Sequence, residues 1–330
     1  MLATDSTAAS ADTTAPTLGL GLDAGGSQTR WALADARGGL IAEGHVAGFS
    51  ALQLDTPQGR DAVHRAVQEL ARVLRPHTQD LTLGLYAGIT GLGDARAEQT
   101  LRQLFTEALP LAAAFVTLRQ DMDIAYRAAF APGDGYLLYA GTGSIAAFID
   151  AQGRSHRVGG RGPVLGDEGG GYWIATQALA HIWRNEDMRP GAWRDSAMAR
   201  RIFGFLGGSD WALSRRFMSV NERGVIGQLA LQVAASAIDD EAAQALLRRA
   251  GAELARLAYV LTQRFGPHPV ALAGRALQLH PLIEQSLRQH LAADVEVSLI
   301  ADLAAHRTAA QLAFTAHSVR NPDTDQEPPQ

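Results

Sequence analysis

The chain of 330 residues contains no cysteine. Disulfide bridges, thiolate-held zinc and cysteine-ligated iron–sulfur clusters are therefore excluded. Lysine is missing too, and all 29 positions counted as lysine or arginine are arginine. This rules out the P-loop and the protein-kinase strand lysine, since both place a lysine on the phosphates. A nucleotide would have to be held by backbone N–H groups, hydroxyls, a metal ion or arginine. No apolar run reaches the roughly 18 residues that a membrane span needs. Residues 1–16 lack the apolar stretch of a signal peptide. The net charge of −5 gives no basic footprint for nucleic acid. The ten histidines show no metal-ligand spacing. These absences predict a cytoplasmic protein with neither a nucleic-acid nor a membrane partner.

What the chain does have is three glycine-rich turns in a fixed order. They are Asp23-Ala-Gly-Gly-Ser-Gln-Thr29, Gly141-Thr-Gly-Ser144 and Gly166-Asp-Glu-Gly-Gly-Gly-Tyr172. Each brings small residues together with a hydroxyl or carboxylate. Backbone without side chains can approach a phosphate or a sugar hydroxyl closely. One such turn would mean little, but three in one chain point to nucleotide phosphate handling.

The length and the 47% hydrophobic content suit two domains. Apolar spacing predicts strands at 17–22, 30–36 and 40–46, with Gly38-Gly39 as a hairpin turn. A helix follows at 61–74, then a strand at 81–86, a helix at 95–109, a strand at 113–118 and a helix opening at Asp121. The pattern then restarts, with strands at 135–140, 145–150 and 155–159 and a long helical region over 171–261. Strand 269–273, helix 281–291, strand 295–300 and a last helix to about residue 317 complete it. Two halves that each open with a strand hairpin carrying a glycine turn imply an internal duplication, with a cleft between the halves as the natural ligand site. The expected domains are 17–130 and 131–317, the second with a helical insertion, flanked by disordered tails at 1–16 and 318–330.

Taken together, the motifs resemble the actin, Hsp70 and sugar-kinase superfamily, with two ribonuclease-H-like α/β domains. More narrowly, the chain resembles the BadF/BadG/BcrA/BcrD-type ATPase family, which includes N-acetylglucosamine and glucosamine kinases. Leu20-Gly-Leu-Asp-Ala-Gly-Gly-Ser27 is similar to the first phosphate loop of that family, and Tyr139-Ala-Gly-Thr-Gly-Ser-Ile145 to the second. Leu272-Ala-Gly-Arg-Ala276 is similar to the adenosine motif. The stretch from Gly159 to Trp173 is close to the sugar-side signature of amino-sugar kinases.

The resemblance implies ATP and Mg²⁺ as cofactors, a small amino sugar as substrate and a homodimer. It implies that Asp23 organises Mg²⁺ through water, while Gly25, Gly26, Ser27 and Thr29 meet the phosphates. Gly141, Thr142, Gly143 and Ser144 would form the second loop, and Gly274 and Arg275 would lie against the adenosine. Asp121 matches the family's catalytic base, and Asp123 would be ordinary first-turn helix charge. Asp121 also suits a helix cap, a role compatible with accepting a proton. Ser50, Gly160, Arg161, Gly162, Asp167 and Glu168 would face the sugar. Three positions depart from the family pattern: Ile145 and Ser50 stand where an asparagine is usual, and Arg161 where a tryptophan is. The implied activity is ATP-dependent phosphorylation of the 6-hydroxyl of N-acetylglucosamine or glucosamine. The alternatives are a weakly catalytic sugar sensor or a kinase for another hexose. An iron–sulfur activator of acyl-CoA reductases is excluded by the missing cysteines.

Overall fold

A computed structural model describes residues 15–315. The expected tails lie outside these residues apart from 15 and 16, as does the far end of the expected last helix. The described chain divides into two compact units, 15–128 with 304–315, and 129–303.

The first unit begins with β1 (Leu18–Ala24), β2 (Gln28–Asp35) and β3 (Leu40–Ala47), paired antiparallel. Asp35 shapes the β2–β3 turn by accepting the N–H groups of Arg37 and Gly39, each at 2.8 Å. Helix α1 (Pro57–Leu74) starts where Thr56 accepts the Gly59 N–H at 3.1 Å and proline occupies the first turn. It buries Val63, Ala66, Val67, Leu70 and Leu74, the 3.6-residue stripe read from the sequence. Then come β4 (Leu83–Ile89), α2 (Ala95–Ala108), capped by Asp94, β5 (Leu111–Gln120) and α3 (Asp121–Ala129). The sheet order is β3-β2-β1-β4-β5, with β1, β4 and β5 parallel.

The second unit repeats this plan with β6 (Tyr136–Ala140), β7 (Ser144–Ile149) and β8 (Ser155–Gly159) as its antiparallel strands. Where one helix joins β3 to β4, the second unit inserts six: α4 (Gly171–Met188), α5 (Ala197–Leu206), α6 (Trp211–Val220), α7 (Arg223–Ile226), α8 (Leu229–Ser236) and α9 (Glu241–Phe265). Strand β9 (Val270–Ala273), α10 (Pro281–His290) and β10 (Val297–Ile300) complete the order β10-β9-β6-β7-β8, with β6, β9 and β10 parallel. Both sheets share one topology, as the predicted duplication requires.

The last helix departs from the expected division. Helix α11 (Ala305–Leu312) belongs to the first unit, not the second. The reason lies in β1 and β4. Gly19, Gly21 and Gly84 share one sheet face, where a Cβ on any of them would collide with α11-side backbone at Ala310, His306 or Ala313. Ala305, Ala309 and Ala313 pack there with Tyr86 and Ile124, while α1 and α2 cover the opposite face. Glu43 on β3 accepts both Arg307 guanidinium contacts at 2.6 Å and lies 3.3 Å from His306 Nε2.

Burial holds the His306 pKa below its ordinary value of 6.5; Glu43 works the other way, while Arg30 and Arg307 reinforce the lowering. The folded protein therefore prefers neutral His306. That contribution is complete above pH 6.5 and is lost as pH falls from there through the lowered folded value, where the ring becomes charged. Thermal unfolding of the wild type should shift to lower temperature over this window. His306→Asn should flatten the dependence, and an unchanged slope in the variant would refute the assignment.

Candidate active site

In the first unit the candidate residues gather at the carboxyl ends of the parallel strands. Asp23 is the penultimate residue of β1, with Arg30 and Gly88 as its register partners on β2 and β4. The following turn is closed by Gly25 N–H donating to Gln28 carbonyl at 3.1 Å, and Gly48 backs it with no room for a Cβ. Gly26 and Ser27 are exposed. A Cβ at Gly26 would meet nothing within 4 Å and its φ is not positive, so the fold itself does not demand glycine there. The absent side chain instead leaves the backbone open to a ligand.

Asp121 opens α3 directly beyond β5, with its Cα 3.2 Å from where a Gly88 Cβ would stand. Thr90 donates its hydroxyl to Asp121 Oδ2 at 2.7 Å, and the Met122 N–H reaches Oδ1 at 2.9 Å. Thr90 is itself fixed: its N–H bonds Ala24 carbonyl and its carbonyl accepts Ala51 N–H, both at 2.9 Å. Asp123, the rival carboxylate, accepts Tyr86 hydroxyl at 2.6 Å and Arg127 Nε at 2.9 Å. Burial, aided by the Asp123 charge, pushes the Tyr86 phenol well above its ordinary range. Asp123 is thus committed inside the fold.

In the second unit, the β6–β7 turn and the start of α4 hold each other. Gly171 and Tyr172 N–H groups bond Gly141 and Thr142 carbonyls at 2.8 and 2.9 Å. Gly274, at φ 103°, packs against the Ala140 carbonyl, which also accepts Ala276 N–H at 2.9 Å. This sets exposed Arg275 next to the 141–144 turn. Gly160 N–H reaches Ser144 carbonyl at 2.9 Å, which joins the 160–168 loop to the same turn. Arg161 is exposed at the start of that loop, Gly162 follows it with positive φ, and Glu168 lies 3.5 Å from Arg256.

Four of the expected ligand residues are placed differently. Thr29 is fully buried and faces the same core as Trp31 and Leu33, opposite to Asp23, because antiparallel register pairs it with Ala24. Ser50 is buried at the cap of a 3-10 turn, and its N–H is taken by Gln53 at 2.9 Å. Ser144 is buried and spends its hydroxyl on Glu168 carbonyl at 2.6 Å. Asp167 is buried and its carboxylate is engaged by Arg223. Thr90, Gly48 and Arg223 were missed. Thr90 alone had a local signal, a hydroxyl closing an apolar strand. Among the described residues no cluster of three or more metal-ligating side chains exists.

Comparison with known proteins bears on the fold and the family. An N-acetyl-D-glucosamine kinase of Dictyostelium discoideum is 26% identical over 178 residues, 51% of this chain and 54% of that protein. An N-acetylmuramic acid/N-acetylglucosamine kinase of Clostridium acetobutylicum is 38% identical over 69 residues, 21% of this chain and 22% of the relative. The match thus spans about half the length of the first curated relative and about a fifth of the second. A crystal structure of a candidate N-acetylglucosamine kinase from Chromobacterium violaceum superposes with a TM-score of 0.68 at 22% identity, covering 91% of this chain and all of that one. The two-sheet α/β fold is that of the actin-like ATPases and sugar kinases. With the BadF/BadG/BcrA/BcrD ATPase family model matching residues 20–313, the chain belongs to that family.

Proposed function

We propose that the protein is an ATP-dependent sugar kinase acting on the 6-hydroxyl of an amino sugar, N-acetylglucosamine or glucosamine. The observation that carries this reading is the carboxylate of Asp121, oriented by Thr90 at the carboxyl end of the parallel strands and beside Asp23. Phosphoryl transfer needs positioning, charge stabilisation and a base for the attacking hydroxyl. Asp121 takes the hydroxyl proton. Gly25, Gly26 and Ser27 offer N–H and hydroxyl donors to phosphate oxygens, as do Gly141, Thr142 and Gly143, while Gly274 and Arg275 face the adenosine. Gly160, Arg161, Gly162 and Glu168 orient the sugar.

Mg²⁺ would be held by Asp23, and when bound it supplies positive charge to the β- and γ-phosphates. The donor set fits, since a hard cation takes one carboxylate plus phosphate and water oxygens. The same reading makes the protein a cytoplasmic homodimer. Among the described residues no helix is long and apolar enough to cross a membrane.

The test is ADP release with ATP and Mg²⁺ across glucosamine, N-acetylglucosamine, N-acetylmannosamine, N-acetylmuramic acid, glucose and no sugar. Turnover with an amino sugar supports the reading; ADP release without sugar dependence refutes it. A second expectation concerns Thr90. A hydrogen bond to a charged group contributes about 1.5–3 kcal/mol. Thr90→Val should therefore lower kcat roughly tenfold or more with KM nearly unchanged, and unaltered kcat would remove Thr90 from the site.

A further inference from the structure

We propose that Arg223 is a positioning residue: by holding Asp167 against the 141–144 turn, it makes nucleotide and sugar binding cooperative. The inference rests on the kinase reading above and assigns a task to a residue of the helical insertion.

Asp167 has φ 63°, and it is one of three non-glycine residues with positive φ among the described residues. A side chain with a Cβ takes that conformation reluctantly, so its surroundings must hold it there. They do so from three sides. The Arg223 guanidinium, on α7, engages Asp167 Oδ2. Gly143 presses so closely that a Cβ on it would stand 2.5 Å from the same oxygen. The Asp167 carbonyl accepts Gly170 N–H at 3.1 Å, one residue before the N–H groups that bond Gly141 and Thr142 carbonyls. Arg223 also lies over the Tyr172 ring, 5.8 Å from its centroid.

The consequence is electrostatic as well as steric. A buried carboxylate against a phosphate-binding turn repels a nucleotide triphosphate unless a cation neutralises it. Arg223 supplies that charge. It also ties Asp167, one end of the sugar-side loop, to the turn that meets the phosphates. Adjacent Glu168 makes a second tie through Ser144. A sugar that settles the 160–168 loop therefore also settles 141–144, and the coupling must be reciprocal.

The experiment is calorimetric titration of the full chain with a non-hydrolysable ATP analogue and Mg²⁺, with and without the sugar that supports turnover. In the wild type the sugar should tighten nucleotide binding at least about fivefold, and nucleotide should tighten sugar by the same factor. In Arg223→Met the factor should fall to within about twofold of unity. Arg223→Lys, which keeps the charge but not the planar fork, should recover part of it. A merely structural role would lower both affinities and leave their ratio intact. The inference fails if Arg223→Met retains the wild-type factor, or if a wild type that turns over sugar binds the two ligands independently. Should Arg223→Met not fold, an Arg223→Lys factor equal to the wild type's overturns the claim and a reduced one supports it. A wild type with no sugar-dependent turnover refutes the kinase reading beneath it.

Discussion

Asp121→Asn is expected to lower kcat about a thousandfold while leaving both KM values and thermal unfolding close to wild type. A positioned general base contributes on the order of 10²–10⁴ in rate. Asparagine keeps the size of the side chain and an oxygen to accept the Thr90 hydroxyl, seen at 2.7 Å in the carboxylate. It loses the basicity and, with an NH2 in place of one oxygen, the acceptor of the Met122 N–H at 2.9 Å, a contact of about 1 kcal/mol. The neighbouring carboxylate supplies the control. Asp123→Asn strips the charge that Arg127 and Tyr86 meet inside the fold, so it should cost about 2 kcal/mol of stability and leave the chemistry of folded molecules intact. Steady-state kinetics with paired denaturation curves decide both. Asp121→Asn retaining a tenth of the wild-type kcat would remove Asp121 as the base. A Asp123→Asn variant that is stable but inactive would exchange the two assignments.

Gly21→Val should destabilise the protein by more than about 3 kcal/mol, at the severe end for an overpacking change. The added side chain meets the backbone of His306 and Ala310. Backbone within a helix cannot rotate aside as a side chain can, so α11 must lift from β1 and β4 or the sheet must distort. Chemical denaturation measures the loss; a change under 1 kcal/mol would show that α11 does not depend on this glycine face. Gly26→Ala is the counterpart at an open position. It should leave stability within about 0.5 kcal/mol but raise the ATP KM several-fold, because the new methyl group occupies backbone that the phosphates approach.

The contrast between these glycines shows how much could be read in advance. The turns at 25–26, 141–143 and 166–172 are visible because a turn is local chemistry: small residues cluster within a few positions. The same holds for α1, whose stripe from Val63 to Leu74 needs only helical spacing. The place of Asp121 at a strand-to-helix junction is again a local feature, whereas its role as base rests on the family resemblance. Gly19, Gly21 and Gly84 were in plain view too, but what covers them is a helix almost 300 residues along the chain from Gly19, and no local pattern announces its partner. The same limit hid Thr90, 31 residues from Asp121, and Arg223, 56 residues from Asp167.

Thr29, Ser50, Ser144 and Asp167 illustrate the other side of that limit. The family resemblance marks each as a donor or acceptor near a ligand, and in each the fold spends the polar group or buries it. Whether a hydroxyl at the edge of a strand faces core or ligand depends on register, which alternates side chains between faces one residue at a time. By itself, then, the sequence determined the phosphate-handling class, the repeated order of strands and helices, and the exclusion of lysine and cysteine chemistry, all of which follow from composition and short-range pattern. Only the tertiary structure decided that α11 closes the first unit, that Thr90 aims Asp121 and that Arg223 claims Asp167, because contacts between distant segments exist only once the whole topology has brought them together.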